Sequence, residues 1–270
     1  MQRKPFLKWA GGKYRILDTI LRELPAGSRF VEPFAGSCAV YLNVKVETAL
    51  ICDVNADLVC LYQHIQREGT DFIMYCQSLF IPENNTKERY IEIRNEFNTC
   101  KDTRKRGSLL LYLNRHSFNG LVRYNSRGEF NVPFGKYKTP YFPLKELTDF
   151  YTKTQEVETH FVCCDFRTAF DELKKGDIVY CDPPYVPLSE TASFTTYAGN
   201  EFDIRDQQDL AMLSKAAHDK GIPVILSNHD THITRKLYAD AEIKSFNVQR
   251  FISCNGDNRA TVPELLAIYR

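Results

Sequence analysis

The sequence predicts a doubly wound α/β fold, in which a mostly parallel sheet carries a terminal antiparallel hairpin and accepts an inserted, mainly helical domain. Three observations point to it. Short apolar runs recur and end in acidic or Gly/Pro turns, helical patterns lie between several of them, and one stretch, residues 56–144, breaks the alternation. Buried parallel strands read as continuous apolar runs, and strands that alternate with helices build a sheet covered on both faces.

In chain order, Phe6-Leu-Lys-Trp-Ala-Gly-Gly-Lys13 sets two cations and the sole indole around a Gly11–Gly12 turn that opens a helix. Lys13 and free amides at a helix start can hold a carboxylate; Trp9 reads equally as core or as a ligand contact. Arg29–Pro33 is a strand, followed by a tight turn of small residues from Phe34 through Gly36, a helix, and a second strand, Ala49–Asp53. A glycine lets a ligand approach the backbone, and an acid ending the next strand can bind both hydroxyls of a ribose. The turn lacks the glycine run that a pyrophosphate needs, so a ribose-bearing ligand without phosphates fits better. Residues 56–144 are too long for a crossover and read as the insertion. They divide the chain into a ligand-binding domain of residues 1–55 and 145–270 and a second domain of residues 56–144. Further strands are expected at His160–Asp165, Asp177–Asp182 and Ile222–Asn228, with a helix over Gln207–Lys220 that turns Leu210, Leu213, Ala216 and Ala217 inward. Glu242–Ile252 and Glu264–Arg270, joined by Ser253–Pro263, complete the sheet as a hairpin.

Composition narrows the function. With 43% hydrophobic and 26% charged residues, the chain is of ordinary globular type. No run approaches the roughly 20 apolar residues that cross a bilayer. The expectation is a cytoplasmic protein, a monomer without membrane or metal partners. Nine cysteines, an odd number with no Cys-x-x-Cys pair, signal neither a disulfide framework nor zinc. Charge is uneven: Arg104–Lys138 holds eight basic residues against Glu129 alone, a local net of +7 in a chain of net +1. A polyanion-binding segment grafted on an acidic body has this distribution.

Asp177-Ile-Val-Tyr-Cys-Asp-Pro-Pro-Tyr185 carries the chemistry. Pro183 and Pro184 fix the backbone and remove two N–H donors, leaving carbonyls and the Asp182 carboxylate as acceptors at the end of the strand. Acceptors without competing donors suit an exocyclic amino group, and Tyr185 offers a face for a planar ring.

With Val31-Glu-Pro-Phe-Ala-Gly36, Tyr112-Leu-Asn-Arg115, Phe118-Asn-Gly-Leu121, Arg123-Tyr-Asn125, Arg127-Gly-Glu-Phe-Asn-Val-Pro-Phe-Gly135 and Ser227-Asn-His-Asp230 added to the amino-terminal and Asp-Pro-Pro-Tyr motifs, the chain resembles the Dam family of DNA adenine methylases, whose usual site is GATC. The likeness runs essentially end to end. It implies a Rossmann-like methyltransferase sheet, S-adenosylmethionine as cofactor, double-stranded DNA as partner and residues 56–144 as the target-recognition domain. It implies cofactor contacts at Trp9, Lys13, Asp53 and Asp182, with Phe34, Gly36, Asp165 and Phe166 lining the same pocket. It places target reading at Lys8, Asn119, Leu121, Arg123 and Pro133. Two positions depart from the family: Cys38 stands for a motif glycine, and Phe118 for the usual Tyr of the ring inserted beside the flipped base.

Asp182 and the Pro183 carbonyl are thus expected to accept the adenine N6 hydrogens while Tyr185 stacks on the extruded base. Arg123 suits bidentate reading of guanine, worth about 1–3 kcal/mol. Lys136 and Lys138 suit phosphates, Phe118 the gap in the stack, and Ser189–Asn200 a lid. Alternatives are a methyltransferase for RNA or protein amino groups, and a DNA-binding regulator on an inactive methyltransferase fold.

Overall fold

A computed structural model describes residues 2–186, 202–249 and 261–270. Strands β1 (Arg29–Glu32), β2 (Thr48–Asp53), β3 (Glu158–Cys163), β4 (Asp177–Cys181), β5 (Val224–His229), β6 (Glu242–Gln249) and β7 (Thr261–Tyr269) form one sheet in the order β3-β2-β1-β4-β5-β7-β6. β1 pairs in parallel with β2 and β4, and β4 with β5; β7 is antiparallel to both β5 and β6. This is the expected Rossmann-like sheet with its terminal hairpin. The strand order turns back at β1, so the switch point lies between β1 and β4, where open α/β sheets bind ligands beyond their carboxyl ends.

Several boundaries move. β3 starts and ends two residues before the expected strand because Asp165 is the N-cap of α7 (Phe166–Asp171), its carboxylate accepting the Arg167 N–H at 2.9 Å. The helix expected after Gly36 is instead a series of turns. Cys38 sits at φ +58° there, and the Asn43 side chain takes the Ala39 and Arg3 carbonyls, competing with a helical ladder. The Gln207–Lys220 helix begins at Ile204, where Asp203 and Asp206 form a reciprocal capping box. Its inward stripe holds Gln207, Leu210, Ala211, Ser214 and Ala217, whereas Ala216 is exposed. β7 starts at Thr261 and takes in Pro263, which had been assigned to the connection. Ser189–Asn200, the expected lid, lies outside the described residues, as do Phe251 and Ile252 of the hairpin.

The chain divides into two compact units: Met1–Arg15, Gly36–Lys45 and Asp53–Cys163 in one, Ile16–Ala35, Val46–Cys52 and Cys164–Arg270 in the other. The second encloses an apolar core of Val31, Val179, Leu210, Leu226 and Leu265, capped by Phe166 and Phe170. In the first, α2 (Ala56–Glu68), α3 (Thr70–Gln77), α4 (Lys87–Thr99), α5 (Thr103–His116) and α6 (Leu144–Glu156) surround stacked rings: Tyr62 lies 5.0 Å from Phe150, which meets Phe6 edge-on at 5.1 Å. Each such pair contributes about 0.5–1.5 kcal/mol beyond burial.

Two groups, the buried His116 and the partly exposed Glu68, make this helical unit sensitive to acid. Burial, and then the Lys8 charge, pushes His116 down from 6.5 to about 4. Protonation therefore favours the unfolded chain, and the His116 contribution, complete above pH 6.5, is lost as pH falls to 4. Desolvation would raise Glu68, but hydrogen bonds from Arg104, His64 and Arg67 outweigh it and hold the carboxyl down from 4.5 to about 2; its contribution is present above 4.5 and lost below. His116→Gln is expected to flatten unfolding free energy between pH 6.5 and 4 and leave the steeper loss below 4.5 in place. Denaturant titrations across that range would refute this if wild type and variant kept parallel slopes.

Candidate active site

In the second unit, the fully buried strand β4 leads directly into Asp182-Pro-Pro-Tyr185. The Ser227 hydroxyl, from β5, donates to Asp182 Oδ1 at 2.9 Å and lies 3.0 Å from the Tyr180 hydroxyl. Burial, and then the Asp182 charge, pushes the Tyr180 phenol well up, so it remains a proton donor. A donor chain from Tyr180 through Ser227 thus aims the carboxylate.

A second network sets the backbone. Tyr238 Oη and Asn228 Nδ2 donate to Gln207 Oε1, on α8 (Ile204–Asp219), at 3.1 and 3.2 Å, and Gln207 Nε2 donates to the Pro184 carbonyl at 2.6 Å. Asn228 Oδ1 accepts the Val186 N–H at 3.1 Å. Tyr185 meets the His229 ring edge-on at 4.8 Å and donates to Glu264 Oε2 at 3.2 Å, which fixes the plane of its ring. Burial, and then Asp182, keeps its phenol protonated. Phe34 stacks on Phe166 at 5.4 Å, with Phe202 against both. Of the expected pocket residues here, Asp165 serves as the helix cap and as a partner of Arg167.

In the first unit, Asp53 ends β2 and turns its carboxylate on Gly36: Oδ2 accepts the Gly36 N–H at 3.0 Å and Oδ1 the Asn55 N–H at 2.9 Å. Each oxygen keeps a lone pair, which suits two hydroxyls of a ribose. Burial raises the Asp53 pKa against these two amides, and further donors would offset that cost. Gly36 adopts φ +44°, and a Cβ there would stand 2.9 Å from Trp9 Nε1. Trp9 is therefore a half-exposed wall on the turn and not a core residue. Lys13 is buried, its Nζ 2.5 Å from the Gly11 carbonyl.

The same unit carries the expected DNA-contacting residues. α5 ends at His116 and the chain turns through Phe118–Gly120, with Asn119 at φ +54°, a conformation Asn tolerates better than most residues. Phe118 is 51% exposed, which rules out a core role. Asn119, Arg123, Pro133, Lys136 and Lys138 are exposed, and Leu121 and Lys8 partly so. Arg123 Nε donates to Asn131 Oδ1 at 2.8 Å, so a neutral side chain orients the guanidinium. The net of +7 overstates the field. Arg104, Lys105 and Arg106 pair with Glu68, Glu96 and Asp57, and Arg115 is buried against the Phe6 carbonyl. The exposed cations of the stretch are Arg123, Arg127, Lys136 and Lys138.

Residues 9–252 match the family of D12 class N6 adenine-specific DNA methyltransferases. The chain belongs to this family. Over 269 residues, spanning the whole chain and 96% of the relative, it is 46% identical to the DNA adenine methylase of Salmonella typhi and 45% identical to that of Escherichia coli strain K12. The DNA adenine methylase of Vibrio cholerae serotype O1 El Tor is 46% identical over 99% of this chain. A solved precorrin 8w decarboxylase from Methanobacterium thermoautotrophicum overlaps it at 12% identity with a TM-score of 0.42, which bears on neither fold nor activity. This D12-class protein is an adenine-specific DNA methyltransferase.

For a D12-class enzyme, sequence reasoning missed Tyr180, Gln207, Asn131 and Phe202, and gave Ser227 and Asn228 no role. Ser227 and Asn228 were visible as polar residues ending an apolar strand. Gln207 was visible only as a polar residue on an inward helical stripe. Among the described residues no group of His, Cys, Asp or Glu is placed to hold a metal ion, and no helix is long and apolar enough to cross a membrane.

Proposed function

We propose that the protein transfers a methyl group from S-adenosylmethionine to N6 of an adenine flipped out of duplex DNA, within GATC. The observation that carries this is the Asp182 carboxylate, aimed by Ser227 beside two prolines that offer no competing N–H. Trp9, Lys13, Gly36 and Asp53 fit the cofactor: Asp53 for the ribose hydroxyls, Lys13 for the carboxylate, and Trp9 against the Gly36 turn as the wall. Phe34, Phe166 and Asp165 are the further residues proposed to meet it. When bound, S-adenosylmethionine supplies an electrophilic methyl on sulfonium.

N6 of adenine is a weak nucleophile because its lone pair is delocalised into the ring. Asp182 and the Pro183 carbonyl would accept hydrogen bonds from its two N–H groups and draw the nitrogen toward tetrahedral geometry, which would free the lone pair to take the methyl group. Asp182 would also stabilise the positive charge that builds on N6, so no prior deprotonation is needed; with a neutral thioether as the leaving group, the surplus N6 proton passes to solvent after transfer. Gln207 occupies the neighbouring Pro184 carbonyl, which keeps the turn in one conformation. Tyr185 recovers part of the stacking that the base loses on leaving the duplex. Residues 1–55 and 145–270 serve as the catalytic domain and residues 56–144 as the target-recognition domain, whose Phe118 fills the gap in the stack and whose Asn119, Leu121, Arg123 and Pro133 read the site together with Lys8 of the amino-terminal segment.

The target reading is tested by two variants assayed on GATC and every single-base variant of it. Arg123→Ala is expected to lose about 1–3 kcal/mol of discrimination at one base pair and little affinity for unrelated DNA. Lys138→Ala is expected to weaken all duplexes alike and to lower the salt dependence by about one counterion. A uniform fall in activity for Arg123→Ala, with preference intact at every position, would remove guanine reading from that residue.

A further inference from the structure

Asn114, buried on α5, is bonded on three sides. Its Oδ1 accepts the Lys8 N–H at 3.0 Å, and its Nδ2 donates to the Lys8 carbonyl at 2.7 Å and to the Gly120 carbonyl at 2.9 Å. One side-chain amide thus holds both backbone groups of a residue 106 positions away and the turn that presents Phe118, Asn119 and Leu121. The next residue, Arg115, donates to the Phe6 carbonyl, adding a second tie to the same segment. Gly120 adopts φ +67°, and a Cβ there would collide with the stem of Lys8. The Lys8 ammonium lies 4.1 Å over the Tyr137 ring, an attraction that restrains the head of the side chain. The entry to the turn is fixed as well: the Phe118 N–H donates to the Pro133 carbonyl and the Gly135 N–H to the His116 carbonyl, both at 2.8 Å.

We propose that Asn114 is a positioning residue for base discrimination, locking Lys8 and the Phe118–Leu121 turn into one rigid reading head. A side chain with a buried amide satisfied on three sides cannot shift by a rotamer without orphaning a donor or acceptor. Lys8 and Asn119 therefore approach the duplex at a fixed separation, and loss of the clamp blurs both readings together while leaving phosphate contacts in place. The proposal rests on the reading that Lys8 and Asn119 face bases.

The test is methylation of GATC and its single-base variants by Lys8→Ala, Asn119→Ala, Asn114→Ala, the isosteric Asn114→Asp, Gly120→Ala, the double variant Lys8→Ala with Asn114→Ala, and Leu110→Ala as a void of similar depth in α5. Asn114→Ala, Asn114→Asp and Gly120→Ala are expected to lose about tenfold in discrimination at the positions where Lys8→Ala and Asn119→Ala lose it. At the Lys8 position the double variant is expected to match Lys8→Ala alone, as residues acting through one another do. Leu110→Ala should lower stability with the preference profile unchanged. Folded Asn114 and Gly120 variants that keep wild-type discrimination, or that lose activity evenly at every position as Leu110→Ala does, would overturn the coupling. If Lys8→Ala and Asn119→Ala themselves leave preference untouched, base reading by this surface fails first, and the coupling with it.

Discussion

Replacing Asp182 with alanine is expected to lower the rate of methyl transfer by at least about 10²–10³-fold, the cost of removing a preorganised group aimed at charge that develops in the transition state. The protein should stay folded, because Asp182 stands partly exposed at the end of β4, and Ser227, which donates to it, keeps the Tyr180 hydroxyl at 3.0 Å. Cofactor and duplex affinities serve as controls, and the loss should sit in the single-turnover rate more than in either binding constant. Activity within about tenfold of wild type would remove Asp182 from the chemistry.

Asp53→Ala is expected to act at a different step. Hydrogen bonds to an ionised group contribute about 1.5–3 kcal/mol each, so loss of an acceptor for two ribose hydroxyls should weaken cofactor binding by about 10²-fold or more. Duplex affinity measured without cofactor should change little. The carboxylate also holds the Gly36 and Asn55 amides, so Asp53→Asn separates the roles: it can still accept through one oxygen and should recover part of the cofactor affinity. Equal losses of cofactor and duplex binding would place the defect in folding and not in a cofactor pocket.

Much of the architecture was legible because it depends on short-range patterns. β1, β2 and β4 are apolar runs that stop at an acid or a proline, and a mostly parallel sheet follows from their alternation with helices. Errors arose where one residue type serves two purposes. Asp165 looked like the acid that ends a strand and is the cap that starts a helix. Pro263 looked like a turn residue and lies within β7, where its carbonyl accepts the Asp230 N–H. The Arg104–Lys138 charge is plain in the sequence, but its sum does not reveal that Arg104, Lys105 and Arg106 are paired with acids from other helices.

Within the candidate site, the groups proposed to meet a ligand were easier to find than those that hold them. Asp182, Tyr185 and Asp53 announce themselves by position in a motif. Ser227, which orients Asp182, lies 45 positions away, and Gln207, which holds Pro184, lies 23 positions away. Such pairings are set by the parallel register of β4 with β5 and by the capping box that starts α8, neither of which is visible as a local pattern.

The most direct measurement is to incubate an unmethylated plasmid with the protein and S-adenosylmethionine carrying a labelled methyl group, identify the labelled nucleoside, and challenge the product with nucleases that distinguish methylated from unmethylated GATC. The expected result is label confined to N6-methyladenine, with every GATC resistant to the enzyme that cuts only unmethylated sites and cleaved by the one that requires methylation. Label on another nucleoside would contradict the amino-acceptor geometry assigned to Asp182 and Pro183, and labelled adenine in plasmid whose GATC sites remain unmethylated would contradict the proposed target.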